Sequence, residues 1–286
     1  MDGAGIRGAV EWVPVQARDT KMTTMTDQTD ELLYRVEGTT GIVTLNRPAQ
    51  RNALTFAMYA RLAEICRDAP EADRLAAIVV EGAGDKAFAA GTDIAQFREF
   101  KTPEDAHGYE VRMTGVLETI ERCPVPTIAA LHGACTGGGA GIAAACDIRL
   151  AARDLRFGFP IARTLGNCLS IDNLSRLETL LGAARTKEII FTARLVEADE
   201  ALLTGLVSEL HADKAAVVAR ALEMAAAIAG LAPLTLRATK EGLRRLRVAR
   251  TQIDDGDLIE MCYMSQDFRE GLEAFLAKRK PQWKGR

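Results

Sequence analysis

The chain has 286 residues, of which 48% are hydrophobic and 26% charged, and its formal net charge is −3 at pH 7. This length fits one large domain or two small ones, and the composition is that of a globular protein with a full hydrophobic core. The weak negative charge gives no general attraction to nucleic acid or to an anionic membrane. No apolar run reaches the roughly 18 residues that a membrane-spanning helix needs, so no membrane association is expected.

Six cysteines are scattered along the chain without a C-x-x-C pair, and four of them lie in apolar or alanine-rich segments. We therefore expect buried, reduced thiols in a cytoplasmic protein. The His, Cys, Asp and Glu residues show no metal-ligand spacing, so no metal site is expected. No other cofactor is expected either. Residues 1–31 lack periodicity and a signal-peptide pattern, and are expected to form a disordered tail.

Strand and helix patterns alternate in the first part of the chain. Apolar strand-like segments at 41–46, 75–80 and 125–131 alternate with helical patterns near 54–69 and 103–121, and extended runs follow at 148–152 and 155–159. This alternation predicts an α/β core with parallel strand pairing. Beyond residue 170 the pattern predicts one short strand at 205–210 and helices at 172–181, 185–192, 198–204, 212–230, 233–249 and 267–279.

Two glycine turns follow predicted strands. The first is Ala90-Gly91-Thr92-Asp93, and the second is the triple-glycine tract at 137–139, which opens an alanine-rich helix. Glycines allow close approach of the backbone to a ligand, and the free N–H groups of a helix N-terminus favour negative charge. Two such turns can direct two N–H donors towards one oxygen atom.

The segment at 139–144 also fits the dinucleotide motif G-x-G-x-x-A. However, several residues separate it from the end of the preceding strand, and it lies in the middle of the chain rather than in a first βαβ unit. NAD(P) binding is therefore not favoured.

Taken together, these motifs resemble the crotonase (enoyl-CoA hydratase/isomerase) superfamily over residues 32–283. The segments that carry the resemblance are 41–48, 51–54, 88–94, 126–133, 137–139, 146–149, 198–207 and 265–280. The resemblance implies a spiral core of ββα turns at 32–210 and a helical region at 211–286 that builds a homotrimer or a dimer of trimers. It also implies an acyl-CoA thioester substrate, so that coenzyme A enters as part of the substrate.

The resemblance implies an oxyanion hole in which the backbone N–H groups of Thr92 and Gly138 bind the thioester carbonyl oxygen and stabilise an enolate. Such preorganised donors favour the transition state, because charge develops on that oxygen during the reaction. It further implies substrate contacts along the chain, with Asp93 also expected to cap the next helix. These contacts are Arg51, Ala53, Ala89, Ala90, Asp93 and Ile94, and near the C-terminus Phe275 and Lys278.

Both glutamates that activate water in hydratases of this family are replaced. Gly141 and Ile161 occupy the matching positions, where they would line the substrate site. A general acid–base group contributes about 10²–10⁴-fold to a rate. Hydration of 2-enoyl-CoA, the usual reaction of the family, is therefore expected to be inefficient. The alternatives are enoyl-CoA isomerisation, carbon–carbon cleavage of an acyl-CoA, and a non-catalytic role in binding coenzyme A.

The loop after Ile161 supplies the remaining polar candidates. Cys168 and Asp172 are candidate catalytic residues, with a buried filler cysteine and a helix N-terminal dipole partner as the structural alternatives. Arg163 is a candidate for pairing with a substrate carboxylate or with a surface acid. RNA-binding members of the family use a lysine-rich helix, and the corresponding helix at 54–69 carries two arginines beside two acids, so nucleic acid is not an expected partner.

Overall fold

The computed structural model describes residues 31–251 and 253–286, and within them ten strands form two sheets. All neighbouring strands run parallel except the pairs β1–β2 and β8–β9. The larger sheet has the order β1 (Leu32–Glu37), β2 (Thr40–Leu45), β3 (Ala77–Gly82), β5 (Thr127–Leu131), β7 (Ile148–Ala152), β10 (Glu209–His211). The smaller sheet has the order β4 (Ala87–Ala89), β6 (Ala134–Thr136), β8 (Arg156–Gly158), β9 (Val196–Glu197).

The helices begin at side-chain caps in several places, including Thr55, Ser170 and Ser265. Gly182 has φ +74° and interrupts one long helix, which explains why the sequence predicts two helices there. The helices are α1 (Phe56–Ala72), α2 (Pro103–Arg122), α3 (Gly138–Ala145), α4 (Ile171–Phe191), α5 (Ala198–Leu203), α6 (Lys214–Ile228), α7 (Pro233–Val248), α8 (Gly256–Tyr263) and α9 (Gln266–Leu276).

Successive chain segments place one strand in each sheet, in the pairs β3 and β4, β5 and β6, and β7 and β8. A helix follows each pair, so the chain winds as a spiral of ββα turns, as the resemblance to crotonases implies. Strands β3 and β5 are buried along their whole length. These strands lie between two apolar clusters. The main cluster includes residues of α1 and α2, and the smaller cluster includes Val217, Ala221 and Ala225 of α6. The two faces are both covered, which is typical of parallel sheets.

Among the strands and α-helices of the described residues, five were not predicted from the sequence, namely β1, β4, β6, β9 and α8. Strands β4, β6 and β9 have only two or three residues each, too few to show an alternating pattern. The predicted strand at 205–210 is shifted, since β10 spans Glu209–His211. The predicted disordered tail falls almost wholly on residues 1–30, outside the described part of the chain.

All six cysteines are free thiols, and the four at positions 66, 123, 135 and 146 are buried, as expected. In the described part of the chain, no single helix is long and apolar enough to cross a membrane. The pair α6 and α7, bent by 114°, meets that measure by length and composition.

Candidate active site

The candidate site lies at one edge of the smaller sheet. Strands β4, β6 and β8 are parallel neighbours, so their carboxyl ends meet at the same edge. The segment after β4 contains Gly91 and Thr92, and the segment after β6 contains Gly137 and Gly138. The segment after β8 leads into Pro160–Arg163, a single 3₁₀ turn. Sheet topology therefore brings three segments distant in sequence to one crevice, the position where ligands bind in open α/β sheets.

The two glycine turns are in direct contact. Gly137 has φ +52°, in the left-handed region, and a Cβ atom there would lie 3.4 Å from the Cα of Gly91. Gly138 is crowded by side chains, because a Cβ atom there would lie 1.7 Å from the Tyr59 hydroxyl and 3.0 Å from Thr92 Oγ1. Position 137 favours glycine because its φ angle is positive, and position 138 favours glycine because a Cβ atom would collide with neighbouring side chains.

The backbone N–H groups of Thr92 and Gly138 are both available to a ligand. Gly138 is the first residue of α3, so its N–H has no intrahelical acceptor. Thr92 pairs with Leu54 in a parallel bridge, in which the Leu54 N–H donates to Gly91 O and the Asp93 N–H donates to Leu54 O, both at 2.8 Å. In that pattern the N–H of Thr92 points away from the bridge. Within residues 31–251 and 253–286, neither N–H has a protein acceptor.

A cavity of about 600 Å³ opens beside these turns, within the volume range of small-molecule sites. Its apolar wall includes Phe97, Met113, Leu117 and Leu169. It brings together most of the site residues predicted from the sequence. These are Arg51, Ala53, Ala90, Thr92, Asp93, Ile94, Gly138, Gly141, Ile161, Cys168 and Phe275.

Four predicted site residues lie elsewhere. Ala89 is buried in β4, and Arg163 and Lys278 are exposed outside the cavity wall. Asp172 also lies outside that wall and instead joins a largely buried ion network, 2.6 Å from both Arg176 and Arg247. Asp172 lies in the first turn of α4, where its negative charge interacts favourably with the helix dipole. Its contacts therefore fit the structural alternative, a dipole partner at a helix N-terminus.

Cys168 lines the cavity but is not prepared for nucleophilic chemistry. Its thiol donates a hydrogen bond to Leu258 O at 3.6 Å. The hydrogen bond between the thiols of Cys168 and Cys262, together with burial, raises the pKa of Cys168. A reactive cysteine needs the opposite shift, because the thiolate is the nucleophile.

Asp93 forms the helix cap that the sequence predicts. It caps the 3₁₀ helix Ile94–Glu99 by accepting a hydrogen bond from the Ala95 N–H at 3.2 Å. Its other carboxylate oxygen accepts a hydrogen bond from Arg47 at 3.0 Å. This carboxylate is therefore already paired at the edge of the cavity.

A chain of three hydroxyl groups runs beside the glycine turns. Tyr59 Oη lies 2.9 Å from Thr92 Oγ1, which lies 3.3 Å from Tyr109 Oη. Both tyrosine side chains are buried, and burial raises the pKa of both phenols. These hydroxyls therefore stay protonated and fix the side chain of Thr92 at the site.

Glu110 is the functional candidate that the sequence reading missed. It is 5% exposed, lines the cavity and accepts a hydrogen bond from the Tyr263 hydroxyl at 2.6 Å. Burial raises the pKa of Glu110 to about 7. The sequence does contain a signal for Glu110. It lies at helical spacing between Ala106 and Met113 in the apolar stripe of α2, where a charged residue is rarely buried without a role.

The sequence model of the Enoyl-CoA hydratase/isomerase family matches residues 35–286. The chain belongs to this family, within the crotonase superfamily, and is an enzyme of the family, whose members act on CoA thioesters.

Comparisons with individual proteins give the same family. A short-chain-enoyl-CoA hydratase of Clostridium acetobutylicum is 31% identical over 256 residues, covering 88% of this chain and 96% of its own. The mitochondrial Delta(3,5)-Delta(2,4)-dienoyl-CoA isomerase of Homo sapiens is 36% identical over 216 residues, covering 70% of this chain and 64% of its own. The crystal structure of an enoyl-CoA hydratase/carnithine racemase from Magnetospirillum magneticum has a TM-score of 0.71 at 38% identity, covering 91% and 97% of the two chains.

Proposed function

We propose that the protein binds an acyl-CoA thioester in the cavity, with the carbonyl oxygen between the N–H groups of Thr92 and Gly138. The observation that supports this most is the contact between the two glycine turns at the carboxyl edge of the smaller sheet. Neither N–H group has an acceptor among the residues that the structure describes, and the adjoining wall is apolar, as an acyl chain requires. In this arrangement the carbonyl is polarised and the enolate is stabilised.

The reaction proposed is proton transfer on the acyl chain through this enolate, rather than addition of water by a glutamate pair. Gly141 and Ile161 line the same cavity as Thr92 and Gly138, and neither can hold or ionise a water molecule. The donors of the oxyanion hole remain, so the acidity of the carbon next to the carbonyl is still raised.

Infrared difference spectroscopy of butyryl-CoA labelled with ¹³C at the thioester carbonyl tests this proposal. Two N–H donors stabilise negative charge on the oxygen and weaken the C=O double bond, so the carbonyl stretch of the bound thioester is expected at a lower frequency than in water. A bound thioester whose carbonyl frequency equals that in solution would contradict the proposed binding mode.

We also propose that the chain assembles as a homotrimer or a dimer of trimers. Along the 16 residues of α7 only Arg247 is buried, while Leu243 and Leu246 are 64% and 68% exposed. An apolar helix surface of this kind needs cover from another subunit. Multi-angle light scattering at micromolar concentration is expected to give the mass of three or six chains, and the mass of one chain would refute the assembly.

A further inference from the structure

Among the described residues, the cavity wall contains the carboxyl groups of Asp93 and Glu110, and they differ in whether a cation is paired with them. Asp93 pairs with Arg47 at 3.0 Å. Glu110 forms no ion pair with any residue that the structure describes, and it is only 5% exposed. Burying a carboxyl without a cation is costly, and such groups concentrate at functional sites.

We infer that Glu110 is the acid–base residue of this site, and that the reaction is the isomerisation of a 3-enoyl-CoA to the conjugated 2-enoyl-CoA. The inference rests on the proposed function, because it needs the thioester carbonyl in the oxyanion hole. Glu110 comes from α2, whereas Gly141 and Ile161 come from α3 and the turn after β8, so this carboxyl reaches the cavity from a different wall.

The proposed steps conserve atoms and charge. The Glu110 carboxylate takes a proton from C2 of the 3-enoyl thioester, and the electrons of the broken C–H bond form a dienolate. The negative charge lies on the carbonyl oxygen, held by the N–H groups of Thr92 and Gly138. The protonated Glu110 then gives its proton to C4, the C2=C3 double bond and the carbonyl are formed, and the carboxylate is regenerated. One carboxyl suffices for this shift, whereas water addition must also position and deprotonate a water molecule.

The surroundings of Glu110 suit a base that works near neutral pH. Tyr263 of α8 donates to its Oε1, and the Asn167 amide donates to the same phenol oxygen at 3.2 Å. Burial and the nearby Asp255 carboxylate raise the pKa of Glu110, while the hydrogen bonds from Tyr263 and Ser170 lower it, with a balance of about 7. The other titratable groups that face it are Tyr59, Tyr109 and Cys168, all neutral at this pH because burial or hydrogen bonding raises their pKa.

The raised pKa has a consequence for stability that is independent of catalysis. The folded pKa of Glu110 lies above the value of about 4.3 for an exposed glutamate. Its contribution to stability is therefore fully present below about pH 4.3 and is lost as the pH rises through 7. Glu110→Gln removes the ionisation and keeps an acceptor for Tyr263, so it should be more stable than the parent above pH 7 in urea denaturation.

The test measures conversion of 3-hexenoyl-CoA by the ultraviolet absorbance of the conjugated product, across pH 5 to 9, with mass spectrometry of the product. In the parent, kcat is expected to rise with pH and to level off above about 7, because the base must be ionised. Glu110→Gln is expected to lower kcat by about 10²-fold or more while binding of butyryl-CoA is unchanged. Glu81→Gln is the matched control, since Glu81 is also buried but lies on β3 outside the cavity, and parental activity is expected.

Tyr263→Phe gives a second, independent readout. It removes a hydrogen bond that lowers the pKa of Glu110, so the midpoint of the kcat–pH profile should move to higher pH, a shift that a purely structural role would not produce. Parental turnover by folded Glu110→Gln, or an unchanged midpoint in Tyr263→Phe, would overturn the assignment. If the parent isomerises 3-hexenoyl-CoA without a carbonyl frequency shift, the proposed function fails. If the shift is present but kcat does not depend on Glu110, only this inference fails.

Discussion

Removing the N–H of Gly138 is expected to lower kcat by about 10²–10³-fold, because one of the two donors to the developing oxyanion is lost. Proline at 138 removes that N–H, and proline is well tolerated at the first position of a helix. The crowding at this position requires a second change. The Tyr59 hydroxyl would lie 1.7 Å from a Cβ atom at 138, so the substitution is made together with Tyr59→Phe.

The matched control is Tyr59→Phe with Gly138→Ala, which adds a Cβ atom but keeps the N–H. Without the hydroxyl, the nearest atoms to that Cβ are Thr92 Oγ1 at 3.0 Å and Tyr59 Cζ at 3.1 Å, which small shifts can relieve. The ratio of kcat between the alanine and proline variants measures the contribution of the N–H. Equal kcat values in two folded proteins would show that Gly138 does not donate to the reacting oxygen.

Placing glutamate at both 141 and 161 is expected to raise the rate of crotonyl-CoA hydration by about 10²-fold or more, because it supplies the missing acid–base pair. A Cβ atom at 141 would lie 3.4 Å from Leu117 Cδ1, so a side chain can start there with only a slight adjustment. Burial of two carboxyls in an apolar cavity should lower stability and raise their pKa values. Hydration is followed by the loss of ultraviolet absorbance of the conjugated thioester.

The comparison variant carries glutamine at the same two positions, with the same side-chain length but no ionisable group. It should hydrate crotonyl-CoA no faster than the parent. Rapid hydration by the unmodified protein would mean that water is activated by other residues, and the account of the two replacements would then be wrong.

The core of the fold could be predicted from the sequence where the apolar pattern of a strand or helix is long enough to be recognised. Strands β3 and β5 each contain four consecutive apolar residues and are buried along their whole length, as expected for strands covered on both faces. The spiral winding was implied only by the family resemblance. It depends on β4, β6 and β8, whose three residues each pair with partners distant in sequence.

The sequence indicates the backbone part of the candidate site but not its side-chain part. Glycine turns after strands leave a direct trace in the sequence, and the structure brings Thr92, Gly138, Gly141 and Ile161 to one cavity. Glu110 leaves a weaker trace, because the role inferred for it depends on contacts with Ser170 and Tyr263 from segments far along the chain. The sequence does not reveal the ion network of Asp172 either, because its partner Arg247 lies far along the chain, on α7.

A crystal structure of the protein with bound butyryl-CoA tests the central claim most directly. The thioester carbonyl oxygen is expected at about 2.7–3.1 Å from both the Thr92 nitrogen and the Gly138 nitrogen, the separation required of oxyanion donors. The acyl chain should lie against the apolar wall near Met113 and Leu117. A thioester bound with its carbonyl oxygen beyond hydrogen-bond reach of these two nitrogens would contradict the account.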